Sequence, residues 1–119
     1  MLFRSQDIFY ATCDRLGLMV WQDFMFACGE YPEYPAFLQE VRHEAEEVIL
    51  RLRNHPSIVL WCGNNENLGA LGWFPETRAS RDRYLVDYDR LNEGVVGRLV
   101  RELDPARDRK STRLNSSHT

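Results

Sequence analysis

A chain of 119 residues is enough for one small domain and buries only a modest share of its surface. The hydrophobic share of 44% and charged share of 28% are those of an ordinary globular protein, and a net charge of −3 supplies neither the basic footprint of a nucleic-acid binder nor a polybasic stretch for a membrane surface. The longest apolar runs, such as Leu16 to Trp21, are too short to span a bilayer, and MLFRSQD lacks the apolar core of a signal peptide.

The first element is a helix over residues 5–16. Ser5 or Asp7 is placed to cap its start, Ile8, Phe9 and Leu16 give it an apolar side, and Gly17 ends it. Residues 18–24, LMVWQDF, then form a continuous apolar run that turns polar at its tip, as a strand buried on both faces does when its end reaches a site. A loop rich in Gly, Pro and aromatics leads to a long helix over residues 35–54. Pro35 suits its first turn, Leu38, Val41, Ala45, Val48 and Leu52 form its apolar stripe, and His55-Pro56 stops it. SIVLWCG, residues 57–63, reads as a second buried strand, and it too breaks into polar residues, Asn64 to Asn67. A loop with Gly69, Gly72 and Pro75 precedes a third long helix over residues 80–103, with Tyr84, Tyr88, Leu91, Val95, Leu99 and Leu103 on one side.

The order helix-strand-helix-strand-helix predicts an α/β fold with a parallel strand pair and a right-handed crossover. Two strands cannot cover the apolar faces of three helices, so residues 1–109 are expected to be a slice of a larger sheet or barrel, poorly stable in isolation. From Lys110 the composition changes to KSTRLNSSHT, which holds half of the six serines and the only lysine. Residues 110–119 read as a disordered polar tail, or as the translated end of a sequencing adapter and so non-native; the second reading is preferred. Cys13, Cys28 and Cys62 are odd in number and lack CxxC spacing, which predicts small buried hydrophobes rather than disulfides or a zinc site.

Chemistry in a parallel α/β architecture sits where strands end at their C-terminal edge. Gln22-Asp23 after Trp21, and Asn64-Asn65-Glu66-Asn67 after Trp61, occupy two such places. Trp beside carboxamides and a carboxylate suits a sugar site, since the ring packs on the apolar face of a pyranose while Asn and Asp bond its hydroxyls. A Glu against apolar walls can hold a proton near neutral pH and deliver it to a leaving oxygen. Spacing alone leaves the competing reading open, in which this cluster only caps or ties a loop.

The blocks FYATCDRLGLMVWQDFMFACGEYP and, at helix-length distance, RNHPSIVLWCGNNEN resemble the barrel of glycoside hydrolase family 2, and within it the β-mannosidases, over about residues 7–105. Related β-galactosidases carry a shorter Asn-Glu motif in different surroundings. The resemblance implies that the chain is a fragment of a (β/α)8 TIM barrel, covering its third and fourth strands. It implies that Glu66 is the catalytic acid/base, that Asn65 bonds the sugar 2-hydroxyl, and that Trp21 and Asp23 line the glycone site. Trp61 belongs to that wall or to the core beneath it. The reaction implied is retaining exo-hydrolysis of terminal β-D-mannose from a β-mannoside oligosaccharide or glycoconjugate, without cofactor, nucleic acid or membrane. The alternatives are another family 2 exo-glycosidase, of β-glucosaminidase or β-galactosidase type, and a non-catalytic carbohydrate-binding remnant. The family's nucleophile is a Glu on the seventh strand, so the fragment carries half of the catalytic pair and is expected to be inactive alone.

Other groups favour bland readings. His43 and Glu47 are i, i+4 neighbours, but their alternation with Arg42 and Arg51 reads as a solvated helix face, so no metal site is expected. His55 reads as part of a helix stop, and Trp73-Phe74 either borders the substrate entrance or packs its own loop.

Overall fold

The computed structural model describes residues 6–110. They run α1 (Asp7–Leu16), β1 (Val20–Asp23), α2 (Pro35–Leu52), β2 (Ile58–Cys62), the short helices α3 (Asn67–Ala70) and α4 (Pro75–Ala79), then α5 (Arg81–Leu91), a π-helical segment (Asn92–Gly97), α6 (Arg98–Leu103) and β3 (Asp108–Lys110). β1 and β2 pair in parallel, Val20 opposite Ile58, Trp21 opposite Leu60 and Asp23 opposite Cys62, with a bulge between Val20 and Trp21. β3 pairs in parallel with β2, so the sheet order is β1-β2-β3. A parallel pair requires a crossover of a dozen or more residues, which α2 provides for the first pair and the run from α3 to α6 for the second.

The expected α/β order holds, with one strand more than the hydrophobic pattern announced. Asp-Arg-Lys carries no apolar signal, and β3 exists through backbone pairing to Leu60, Trp61 and Cys62. Lys110, assigned from sequence to the polar tail, is therefore the last residue of a strand. Residues 111–119, the rest of that expected tail, lie outside the described residues, as does the proposed cap Ser5. Gln6 takes the cap position of α1 without a side-chain bond, and Asp7 sits in the first turn, where the helix dipole favours it. At the other end Gly17 adopts φ 67°, the left-handed turn that returns the Leu18 N–H to the Cys13 carbonyl at 3.0 Å.

The core lies between the sheet and the long helices. α2 starts at Pro35, whose missing N–H costs nothing there, and buries Val41, Ala45, Ile49 and Leu52. α1 buries Tyr10 and Cys13, whereas Ile8, Phe9 and Leu16, expected as its inner side, are exposed. Only the turn carrying Tyr10 and Cys13 meets the core, and exposed apolar surface of the remaining kind marks faces built to be covered.

The third long helix is not one α-helix. A π turn holds an extra residue, so it rotates the downstream face relative to an α-helical stripe. The buried side chains are accordingly Leu91, Val96, Leu99 and Val100, while Val95, expected in the stripe, is only partly buried. Gly97 in this segment leaves room for β3. A Cβ there would lie 2.9 Å from the Arg109 guanidinium, which reaches back to pair with Glu93.

Two carboxylates fasten the N-terminal ends of the strands. Asp104 accepts a hydrogen bond from the buried Trp61 indole at 2.8 Å and pairs with Arg107 at 2.5 Å, and Arg107 also donates to the His55 carbonyl at 2.9 Å. Asp14, at the end of α1, accepts from the Ser57 N–H at 2.9 Å and lies 2.6 Å from His55 Nδ1. Hydrogen bonds from Ser57 first, then His55, hold the Asp14 carboxyl down at about 2, against 3.8 ordinarily. A carboxyl whose folded pKa is depressed contributes stability above its unfolded pKa and loses it as pH falls through the folded value. Acidification from about pH 4 to about pH 2 should therefore lower the melting temperature of a protein containing this segment. In Asp14→Asn that part of the acid dependence should be missing, and identical profiles for the two proteins would contradict the latch.

Candidate active site

Sheet direction decides where the polar bursts lie. β1 and β2 are parallel, so Asp23, opposite Cys62, and Asn65-Glu66, just beyond Cys62, come to the same C-terminal rim. This answers the expectation that Trp21, Asp23, Asn65 and Glu66 share one edge. Trp21 and Asp23 are two residues apart and so project to one face of β1; Trp21 is 51% exposed, and its Nε1 donates to Asp23 Oδ1 at 2.7 Å. Gln22, on the opposite face, accepts from the Tyr10 hydroxyl at 2.6 Å. Gln22 thus ties β1 to α1, while Trp21 and Asp23 are exposed and bonded to each other.

The polar burst after β2 divides in the same way. Asn64 is fully buried, and its Nδ2 donates to the Tyr88 hydroxyl at 3.1 Å and to Asn92 Oδ1 at 3.0 Å. It belongs to the core, where it links the end of β2 to α5 and the π segment. Trp61 belongs there too. It is 0% exposed, stacks on Phe24 at 5.5 Å and bonds Asp104, which excludes it from a sugar-facing wall. Asn65 is exposed and Glu66 half-buried, with Glu66 at φ 59° as the residue that opens α3. Trp73 and Phe74 are exposed beyond α3, with Pro75 starting α4 behind them.

The loop after β1 meets the segment after β2 a second time. The Phe24 N–H donates to Cys62 O at 2.9 Å, and after an interruption Asn65 N–H donates to Phe26 O and Cys28 N–H to Asn65 O, each at 2.8 Å, forming a parallel bridge of Ala27 with Asn65. Asn67 Nδ2 donates to Gly29 O at 3.1 Å. Cys28, expected to be a buried hydrophobe, is instead exposed at φ 53°, with its Sγ 3.8 Å from Glu66 Oε2 and 3.9 Å from Asn65 Nδ2. Cys13 and Cys62 are buried as expected. A non-glycine residue in the left-handed region costs about 1–3 kcal/mol and persists where its surroundings over-determine it, as they often do at active sites.

Behind this loop lies a further carboxyl that spacing did not single out. Burial, and then the charge of Asp87, raise the Glu30 carboxyl above its ordinary pKa. It lines a small cavity with Gly29, Asn67, Asp87 and Tyr88. A larger cavity of about 400 Å³ opens between β1 and α2. Its walls include Phe24, Phe26, Phe37, Val41 and Ala45, and it reaches the rim at Asp23 but touches neither Asn65 nor Glu66.

Residues 4–110 match the model of the family described as glycosyl hydrolases family 2, TIM barrel domain. Among curated relatives, the β-mannosidase of Rattus norvegicus is 45% identical over 117 residues, 97% of this chain and 13% of that protein. The β-mannosidase B of Thermothelomyces thermophilus is 60% identical over 63 residues, 53% of this chain and 7% of its own. The β-D-mannosidase of Dictyoglomus thermophilum superposes with a TM-score of 0.69 at 47% identity, covering 88% of this chain and 12% of that one. A β-glucuronidase of Bacteroides uniformis reaches the same TM-score at 24% identity, over 92% of this chain and 13% of its own, which is a likeness of fold. The chain thus spans about an eighth of the length of relatives that it matches nearly end to end.

Proposed function

Because this chain belongs to glycosyl hydrolase family 2, as part of its TIM barrel domain, we propose that the full-length protein containing it is a retaining exo-β-mannosidase, with Glu66 as acid/base. The observation that carries this reading is the place of Glu66. It is a half-buried carboxyl on the chain leaving β2, beside exposed Asn65, at the rim where the Trp21–Asp23 pair also stands.

In this reading the Trp21 ring covers the apolar face of the terminal mannose, and Asp23 and Asn65 bond its hydroxyls, Asn65 the 2-hydroxyl. Glu66 delivers its proton to the glycosidic oxygen as the bond to the anomeric carbon breaks. A second carboxylate, roughly 5–5.5 Å from the first in retaining enzymes, forms the glycosyl-enzyme, and Glu66 then removes a proton from the attacking water. That nucleophile is assigned to no carboxylate among the described residues, so the 119-residue chain by itself is expected to show no turnover. The chemistry needs no cofactor.

The test is a panel of p-nitrophenyl glycosides offered to the full-length protein: β-D-mannoside, β-D-galactoside, β-D-glucuronide and β-D-glucosaminide. The mannoside should lead in kcat/KM by roughly 100-fold or more, since a site built to bond one pattern of hydroxyls leaves buried polar groups unpaired with another. A lead for any other sugar would replace the mannoside reading with a different member of the family. Hydrolysis of none would leave a carbohydrate-binding remnant.

A further inference from the structure

We propose that the loop of residues 26–29 is a positioning clamp for Glu66, and that Cys28 is the side chain through which it acts. The inference rests on the acid/base reading of Glu66 and goes beyond it, because neither the family motif nor sequence spacing gives this loop a part in the chemistry.

The strands β1 and β2 stop pairing at Cys62, yet their continuations pair again around Glu66. The Asn65 N–H and carbonyl bond Phe26 and Cys28, and the Asn67 side chain bonds the Gly29 carbonyl. The residues on both sides of Glu66 are thus fastened to one short loop, while Glu66 between them holds φ 59°. Cys28 and Glu66 are the two non-glycine residues with positive φ among the described residues, and they face each other across this bridge. A lone left-handed residue relaxes unless its neighbours forbid it, and here each strained residue sits opposite the bonds that hold the other.

The side chains continue the arrangement. The Asn65 amide points a donor at Cys28 Sγ, and the thiol in turn faces Glu66 Oε2. A thiol is a weak donor and a weak acceptor, so it orients the carboxyl without competing strongly for the proton that Glu66 must give away. Orientation matters because proton delivery requires the carboxyl within hydrogen-bond reach of the leaving oxygen, and small misplacements cost large factors in rate.

The experiment compares Cys28→Ala, Cys28→Ser and Cys28→Gly in the full-length protein, with Glu66→Ala as reference. Substrates are aryl β-D-mannosides of graded leaving-group pKa, or aryl glycosides of whichever sugar the panel selects. Cys28→Ala should lose roughly tenfold or more in kcat/KM on the poorest leaving group and much less on a dinitrophenolate, with KM little changed. Cys28→Ser keeps a donor and should recover most of the loss. Cys28→Gly is at ease at φ 53° but has no sulfur, so it should behave like the alanine variant even where its fold is the more stable of the two. A loss equal across leaving groups, or a glycine variant with wild-type rates, would overturn the clamp. If Glu66→Ala itself shows no leaving-group dependence, the acid/base reading fails first and takes the clamp with it, an outcome visible in the reference alone.

Discussion

Glu66→Ala in the full-length protein should lower kcat/KM about 10²–10⁴-fold for mannosides whose leaving group must be protonated, the range that a positioned acid typically contributes. Substrates that leave as good phenolates should lose far less in the first step, because their departure does not wait for a proton. The second step still needs a base to activate water, so the glycosyl-enzyme should accumulate and a burst of phenolate should precede slow turnover. Azide, a small nucleophile that needs no base, should restore turnover and yield a β-mannosyl azide. The Glu66 carboxyl stands half-buried on the chain leaving β2, beside exposed Asn65. If Glu66 only tied its loop, the loss would be uniform across leaving groups and azide would restore nothing.

The largest effect on stability is expected at Trp61. Its indole is wholly buried, stacks on Phe24 and donates to Asp104. Truncation to alanine removes the ring, opens a cavity between the sheet and the helices, and takes one partner from Asp104. Such substitutions cost about 3–5 kcal/mol. Trp61→Phe keeps most of the packing and leaves Asp104 paired to Arg107, so its cost should be nearer that of one hydrogen bond, about 1–3 kcal/mol. Denaturant unfolding of the barrel, followed in the full-length protein and both variants, measures the two. A loss below about 1 kcal/mol for Trp61→Ala would contradict its place in the core and return it to the sugar-facing wall.

The order of these sensitivities shows what the amino-acid sequence could and could not announce. β1 and β2 were legible from their apolar runs and polar tips, although the burial on both faces expected of them is not met among the described residues, where Trp21 and Val59 are exposed. Strand direction placed the two polar bursts at one rim, whereas singling out Trp21, Asp23, Asn65 and Glu66 within them rested on the resemblance to the family. β3 was not legible, since Asp108, Arg109 and Lys110 pair by backbone alone and carry no hydrophobic period. Nor was the π segment, because one extra residue per turn leaves composition untouched while moving burial from Val95 to Val96. The short helices α3 and α4 hid among glycines and prolines that read as loop. Within the polar bursts, spacing could not separate Asn64, bonded into the core, from Asn65, exposed at the rim, since both are the same residue type at adjacent positions. Cys28 was misread for a related reason. Cysteine is usually buried, and only a left-handed turn in the loop brings this one beside Glu66.

Among the three strands, β2 alone has a described neighbour on each side. In a deuterium-exchange experiment its amides, shared between two ladders, would open only when the sheet itself comes apart, whereas those on the outer sides of β1 and β3 wait on whatever lies next to them. β2, whose chain leads on to Glu66 four residues later, is thus expected to exchange most slowly of the three described strands, and the carboxyl stands on the segment that leaves it.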